Sequence, residues 1–502
     1  MSVIKGKDNI VLNKITTLTP PSVINAIISQ KECYMTFSLS RIFNLLALVL
    51  FATFLCLLPP PLGITNQAWS LFAIFITTIL SILFNILPII TASIIAISIS
   101  VLSGVMDPKI AYSGFSESFI LLIVAAFLVS HAVHKSGLGK RLSLHIIRKF
   151  GSSTLGLGYS IVATDMLISP AFPSNTARSG VLYPIVYGLA HDCGSKVADG
   201  SRRVAGAYLM MTSMAGLTIS SGLWLTAMAV NPIGAGIAKT MGINITFGSW
   251  LLASIVPTLV AFITLPYLLY RLFPPEHTAT PDAPAQAIEA LKKMGAISRN
   301  EWITGGVFFS MLLLWSLSGI FPIDKTAVAF GGLGILMVTR VFGIDDFKTQ
   351  GEALSTLIWF AILFAMSTEL ARLGFMGSLA HSASGYLVGM SWMSVYLLLI
   401  FTYVLIHYFF VSQSAHLLAL FGLFLTVGIT AGVPGELMAM MLLFATNFNA
   451  MITPQGSSAN AIYLSSGYIT AREIYLYGGA VTLLNLIIFL SLGTPWILLI
   501  TQ

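Results

Sequence analysis

Charge is what this sequence is short of. Asp, Glu, Lys and Arg make up 9% of its 502 residues, against about 25% in an average soluble domain. A water-facing surface on so long a chain needs more polar residues, so a soluble globular protein is excluded. Cysteine is scarce too. Cys33, Cys56 and Cys193 are an odd, scattered set without a CxxC spacing, which excludes a disulfide framework or a cysteine zinc site; they read as small apolar residues. The net charge of +7 sits in short loops between apolar stretches, so it is a topology signal rather than a nucleic-acid footprint. No HExxH, no GxSG with a companion histidine and no pair of catalytic aspartates is present, which argues against a membrane-embedded enzyme. A repeated filter or charge ring, the mark of a channel, is also missing.

Apolar residues take the space that charge leaves. They form 56% of the chain and the mean hydropathy is +0.90, so the expected solvent is lipid and the expected fold an all-α polytopic membrane protein. Stretches of the about 17–25 residues that a span requires recur near 42–60, 66–86, 88–104, 117–136, 204–240, 247–272, 302–321, 326–343, 353–371, 434–470 and 474–500, giving about 11 transmembrane helices. Two further segments, 153–190 and 391–430, are apolar with a polar centre, PAFPSNTARSG at 170–180 and FFVSQSAHLL at 409–418. Each reads as a re-entrant hairpin whose half-helices meet at a polar tip. The spans 204–240 and 434–470 are broken as well, by TISSGLW at 218–224 and ITPQGSSANAI at 452–462.

Residues 274–300 form the long polar linker inside the chain, and the order of parts after it copies the order before it. The division is a polar amino-terminal extension (1–40), a first helix and first repeat (41–273), the linker (274–300) and a second repeat (301–502). No A-x-A-like cleavage site follows the first apolar run, so a removable signal is not expected; a short organellar targeting segment is the alternative for the extension.

Charge tests whether the copy is inverted. The amphipathic piece 135–149 carries Lys135, Lys140, Arg141, Arg148 and Lys149, whereas its counterpart 372–386 carries only Arg372. The loop after the first hairpin holds Lys196, Arg202 and Arg203; the one after the second, 428–436, has no Lys or Arg. Under the positive-inside rule these equivalent elements lie on opposite sides, and the repeat is inverted. Lys5, Lys7, Lys14, Lys31 and Arg41 set the amino terminus in the cytoplasm, Arg271, Lys292, Lys293 and Arg299 the linker, and eleven spans then put the carboxyl terminus outside; Lys109, Lys239, Lys325 and Arg372 fall on the outer side. The expected location is a bacterial cytoplasmic (inner) membrane, with a plastid inner envelope as the alternative.

An inverted repeat with paired broken helices predicts a binding site near the midplane, where half-helix amino termini favour an anion and unwound carbonyls a cation. Ser174, Asn175 and Thr176 form the first tip, after Pro173; Ser412, Gln413 and Ser414 form its mirror. Such tripeptides are also ordinary helix caps, but two at matched places point to substrate. Arg178, about one turn into the second arm, either forks a carboxylate or pairs with Asp165 or a carbonyl. His416 at the mirrored tip either donates to a carboxylate or is a satisfied buried histidine. Asp165 and Glu369 read as proton relays or as salt-bridged carboxylates, and Trp224, Trp359 and Trp392 as packing or interface aromatics.

PSNTARSG with its apolar half-helix, the SQSAH tip and ITPQGSSANAIYLSSGYI together resemble the divalent anion/sodium symporter family, over about residues 40–500. Within it the look is that of bacterial citrate/succinate-type antiporters and plastid 2-oxoglutarate/malate translocators. The resemblance implies an elevator-type carrier of small di- or tricarboxylates, a homodimer with a scaffold part and a moving part, no cofactor and no nucleic-acid partner. It also implies two half-sites for a coupling Na+, one at the first tip with Ser220, Ser221 and Gly222, the other at the second tip with Thr453, Pro454, Ser457, Ser458 and Asn460. Sodium-coupled members of the family carry Ser-Asn-Thr at both tips, whereas this chain has Gln413 and Ser414 in the second. Dicarboxylate/dicarboxylate antiport is therefore expected, with sodium- or proton-coupled symport as the alternative.

Overall fold

The computed structural model describes residues 39–501 apart from 319, 322 and 386. The amino-terminal extension expected over 1–40 lies, save its last two residues, outside the described residues. Helix α1 (Leu39–Leu57) straddles a division of the chain at Thr53 into two units; the architecture that follows is that of the second unit. Among the described residues it is all helical, with one isolated β-bridge, Ser153 to Ala279.

The first half runs α2 (Asn66–Leu83), α3 (Ile89–Leu102), α4 (Ser118–Ser136) and the amphipathic α5 (Leu138–Phe150). A hairpin of α6 (Thr154–Ile168) and α7 (Asn175–Asp192) follows, then an interrupted helix, α8 (Gly206–Leu223) and α9 (Val230–Thr240), and a final α10 (Phe247–Leu272). After α11 (Ala283–Met294) the order recurs: α12 (Arg299–Leu317), α13 (Lys325–Val338), α14 (Gly351–Arg372) and α15 (Phe375–Ser384). A second hairpin is made by α16 (Trp392–Ile406) and α17 (Gln413–Thr430), a second interrupted helix by α18 (Gly435–Phe448) and α19 (Ser458–Ser465), and α20 (Ala471–Ile500) closes the chain. Seven helices of the described residues, among them α2, α4, α10, α14 and α20, are long and apolar enough to cross a membrane.

Local chemistry explains the interruptions. Each hairpin breaks where a short 3₁₀ turn (Ser169–Ala171, His407–Phe409) leads into a serine in extended conformation. Ser174 (φ −141°, ψ 126°) and Ser412 (φ −144°, ψ 129°) then cap α7 and α17, each hydroxyl accepting from the backbone N–H three residues on. Serine is preferred at this position because its side chain satisfies an amide that the helix cannot. The interrupted helices break likewise, with 3₁₀ turns at Leu225–Ala227 and Asn449–Met451.

The linker is more structured than its polarity suggests. Ala283 and Ala287 of α11 are buried, and the strand-like stretch before it joins the start of the first hairpin: Thr154 Oγ1 donates to the His277 carbonyl (2.5 Å) and Thr280 Oγ1 to that of Gly151 (2.7 Å). Arg141 of α5 makes a buried ion pair with Glu301 of α12 (2.5 Å) and donates to the Gly295 carbonyl (3.0 Å). Small alanines on one helix face and two threonines at matched spacing are enough to dock a segment that composition alone reads as a loose connection.

Candidate functional site

The two hairpin tips meet. Asn175 Nδ2 donates to Gln413 Oε1 across 3.3 Å, and a cavity of about 280 Å³ opens beside this contact. Its volume is near the lower end of the about 300–1,000 Å³ usual for small-molecule sites. All six tip residues, Ser174, Asn175, Thr176, Ser412, Gln413 and Ser414, line it, with Ser457 and Ser458 from the start of α19. Glu352, Ser355, Thr356, Trp359 and Phe360 of α14 form the facing wall. Hydroxyls and carboxamides dominate the tip side, a wall rich in neutral hydrogen-bond donors.

Beneath the first tip lies a fully buried charge pair. Arg178 and Asp165 stand 3.5 Å apart, Nε to Oδ1. Arg178 Nη2 also donates to Asn175 Oδ1 (2.5 Å), to Ser221 Oγ (2.6 Å) and to the Leu217 carbonyl (3.4 Å). Ser221 Oγ in turn donates to Asn175 Oδ1 (2.7 Å), and Ser220 donates to Asp165. Arg178 is thus bound into the tip from below and is not on the cavity wall. The matching layer of the second tip is aromatic. His416, like Arg178 four residues past its tip serine, packs edge-on against Tyr403 (4.2 Å between centroids) and beside His407 and Phe410 (5.0 Å each). Its ring nitrogens have no hydrogen-bond partner among the described residues and it, too, is off the cavity wall. Gln413 anchors this tip instead, donating from Nε2 to the carbonyls of Thr446 (2.6 Å) and Asn447 (3.2 Å).

The interrupted helices are braced by one device used twice. Asn231 Nδ2 donates to the carbonyls of Ser221 (2.8 Å) and Trp224 (3.3 Å), ten and seven residues earlier. Asn460 Nδ2 donates to those of Ala450 (2.8 Å) and Thr453 (3.1 Å), at the same two offsets. Asn447 links the two breaks, donating to Asn231 Oδ1 (2.8 Å). Unwinding a helix inside an apolar body leaves carbonyls without amides, and these carboxamides take their place.

The sequence-predicted residues therefore separate. Ser457 and Ser458 join the cavity, whereas Asn460 serves the brace. Ser220, Ser221 and Gly222, expected to be unwound, are instead in the last turn of α8, and the first break follows at 224–229. The Gly222 carbonyl accepts from Trp250 Nε1 (2.9 Å) and the Ser220 carbonyl from Ser169 Oγ (3.4 Å), so these oxygens already have protein partners. In the second break Thr453 is buried, and among the described residues its hydroxyl has no partner, nor have the side-chain oxygen Asn447 Oδ1 and the side-chain amide of Asn449. Glu369 is paired with Arg372 one turn on (2.6 Å). Trp224 donates to the Met166 carbonyl (3.0 Å) near the tip end of the first hairpin's first arm, Trp359 is on the cavity wall, and Trp392 opens α16. Sequence reasoning overlooked Glu352, whose carboxylate accepts from Ser174 Oγ (3.3 Å), and Asn231; the signal for the latter was an asparagine just inside the second half of each broken span.

This arrangement has known relatives. The putative malate transporter YflS of Bacillus subtilis is 38% identical over 441 residues, covering 88% of this chain and 92% of that protein. The chloroplastic dicarboxylate transporter 1 of Arabidopsis thaliana is 36% identical over 456 residues, covering 90% and 82%. The citrate/succinate antiporter of Escherichia coli K12 is 30% identical over 482 residues, covering 92% and 99%. The crystal structure of the Alcanivorax borkumensis YdaH transporter shares the fold, with a TM-score of 0.56 at 16% identity over 78% of this chain and 88% of that one. Residues 39–502 match the family described as the sodium:sulfate symporter transmembrane region. The chain is accordingly an integral membrane protein and not an enzyme, and it belongs to the sodium:sulfate symporter transmembrane family.

Proposed function

We propose that the chain is a secondary active carrier of small di- or tricarboxylates, of the malate, succinate, 2-oxoglutarate and citrate class, working by exchange. The observation that carries this reading is the meeting of Asn175 and Gln413 over one donor-lined cavity. Tip hydroxyls and carboxamides suit a carboxylate at each end of a short acid, and the relatives are named for malate, dicarboxylates, citrate and succinate. Exchange is favoured over sodium coupling by how the tip oxygens are used. Asn175 Oδ1, Ser221 Oγ and the Leu217 carbonyl, the oxygens a cation would seek at the first tip, already face the guanidinium of Arg178. Arg178 acts on substrate through Asn175 and Ser221, and His416 through the aromatic packing under its tip.

In this reading the halves 41–273 and 301–502 are an inverted repeat joined by the linker 274–300, with about eleven spans, the amino terminus in the cytoplasm and the carboxyl terminus outside. The hairpins and interrupted helices move as one part against α2–α4 and α12–α14, the elevator scheme, in a homodimer of a bacterial inner membrane. An empty carrier is reluctant to move because its tip donors would cross a low-dielectric region unpaired.

Counterflow tests the reading. Purified protein in liposomes should take up labelled succinate or malate rapidly only when unlabelled dicarboxylate is inside. Uptake indifferent to internal substrate would sink exchange.

One observation favours a second reading, sodium-coupled symport. Among the described residues the Thr453 hydroxyl, Asn447 Oδ1 and the Asn449 side-chain amide are buried without partners beside the second break, and oxygen-rich unwound backbone is where transporters hold sodium. Symport predicts uptake into anion-free liposomes that follows an imposed sodium gradient.

A further inference from the structure

Among the described residues that line the tip cavity, Glu352 is the one ionisable side chain. Its charge has the sign of the substrate class proposed above, so a carboxylate bound between the tips would lie beside another carboxylate. Nothing in the helix requires an acid there. Glu352 belongs to the first turn of α14, where an acidic residue is favoured by the dipole by only about 0.3–1 kcal/mol. Its side chain reaches instead into the cavity, accepting from Ser174 Oγ. That hydroxyl also accepts from the Ala177 amide in capping α7, so its single proton has one recipient at a time. A substrate carboxylate and Glu352 cannot both take it.

Resting on the carrier reading above, we propose that Glu352 is a tethered competitor for substrate: in the empty cavity its carboxylate takes the hydrogen bond of Ser174 that a substrate carboxylate takes on loading. Two consequences follow. The contact ties the first tip, on the moving part, to α14 of the scaffold, so an unloaded tip is held back. Substrate entry displaces Glu352 by competing for Ser174 and by like-charge repulsion, so loading releases the tip. Coupling of movement to occupancy then has a named contact.

The first half of the proposed repeat offers a counterpart. Glu117 stands immediately before α4, as Glu352 stands at the start of α14, and its side chain does not cap its helix. It lines a separate cavity of about 500 Å³ whose wall includes Phe364 and Thr368, toward the far end of α14. A tip arriving on that side would meet a carboxylate there too.

Glu352→Gln and Glu352→Ala separate charge from contact, because a glutamine oxygen still accepts from Ser174. Exchange is measured in proteoliposomes with wild-type protein alongside. Glu352→Ala should lower the half-saturation concentration for succinate about fivefold, by loss of a like charge at close range, and raise uptake into liposomes without internal dicarboxylate by about tenfold. Glu352→Gln should lower the half-saturation concentration similarly yet keep most of the dependence on internal substrate. If wild-type protein exchanges dicarboxylates while Glu352→Ala keeps its half-saturation concentration and its counter-substrate dependence, the proposal is overturned and the carrier reading stands. A general loss of maximal rate in both variants, with the half-saturation concentration unmoved, also overturns it. Wild-type protein that exchanges no dicarboxylate overturns the carrier reading itself.

Discussion

Asn175 and Gln413, separated by 238 positions in the chain, share a hydrogen bond of 3.3 Å. Each is also the anchor of its own tip. Asn175 presents Oδ1 to Arg178 and Ser221, and Gln413 presents Nε2 to two carbonyls of α18. The contact closes a chain of polar groups that runs from the first broken span through both tips to the second. A change at either carboxamide is therefore felt in both halves.

Asn175→Ala removes the acceptor that Arg178 and Ser221 share, and Gln413→Ala frees two carbonyls of α18. An orphaned buried partner costs about 1–3 kcal/mol, which is about 5–150-fold in an equilibrium. Counterflow by each variant, corrected for inserted folded protein, is expected to fall by that range or further. The double variant should lose less than the sum, because one contact is removed twice. Wild-type transport by either single variant would take that tip out of the site.

Asp165 and Arg178 make the second prediction. Removing one partner of a buried pair costs about 3–5 kcal/mol, whereas removing both can be nearly neutral. Arg178→Gln and Asp165→Asn should each lower the thermal unfolding midpoint of detergent-purified protein markedly. The double variant should recover part of that loss. Independent, additive losses would mean that the two charges are not balanced against each other as the 3.5 Å approach suggests.

Much of this organisation was legible in the sequence because lipid makes polarity expensive. A Ser-Asn-Thr or a Ser-Gln-Ser in the middle of an apolar segment stands out, as do TISSGLW and ITPQGSSANAI; three of the four fall at breaks in helices, while TISSGLW forms the last turns of α8 with the break just after it. Pairings across long separations were not legible. Glu352 looks like an ordinary acid in a first helical turn; only its contact with Ser174, 178 residues away, gives it another meaning. The sequence leaves Arg178 open between a substrate carboxylate and a pair with Asp165 or a carbonyl, and His416 between a substrate carboxylate and a satisfied buried histidine. One helical turn points them beneath the tips, where Asp165 and Tyr403 already wait. The docking of the linker depends on where Thr154 and Thr280 fall in space, which polarity does not encode.

Asp346 supplies a pH test outside the spans. Its carboxylate accepts from the Gly343 amide (2.7 Å) and from Lys135 Nζ (2.8 Å), and these, the amide first, hold it below the ordinary carboxylate range. A carboxyl depressed on folding adds stability above its unfolded value, about 3.9, and that stability is lost as pH falls through the folded value. The unfolding midpoint of Asp346→Asn should therefore lie below that of the wild type from pH 7 to 5. The gap should narrow once the pH drops below about 4. A gap that is the same at acid pH would show that the charge does not contribute.

The twin asparagines give the last prediction. Asn231 and Asn460 each hold two carbonyls of a broken helix, at offsets of ten and seven residues in both halves. Neither side chain lines the tip cavity, so their work is to keep an unwound segment from rewinding or admitting water. Asn231→Ala and Asn460→Ala each strand two buried acceptors, at about 1–3 kcal/mol per group. Both should lower the unfolding midpoint, and Asn231→Ala by more, because Asn447 also leans on it through its Oδ1. Aspartate in place of Asn231 keeps the shape and the oxygens but loses the two donated hydrogens, so it should be no better than alanine. Rescue by aspartate would mean that bulk, not donation to the Ser221 and Trp224 carbonyls, is what the break needs. If instead both alanine variants unfold like the wild type while exchange fails, the braces are not structural, and these asparagines belong with the substrate or ion contacts.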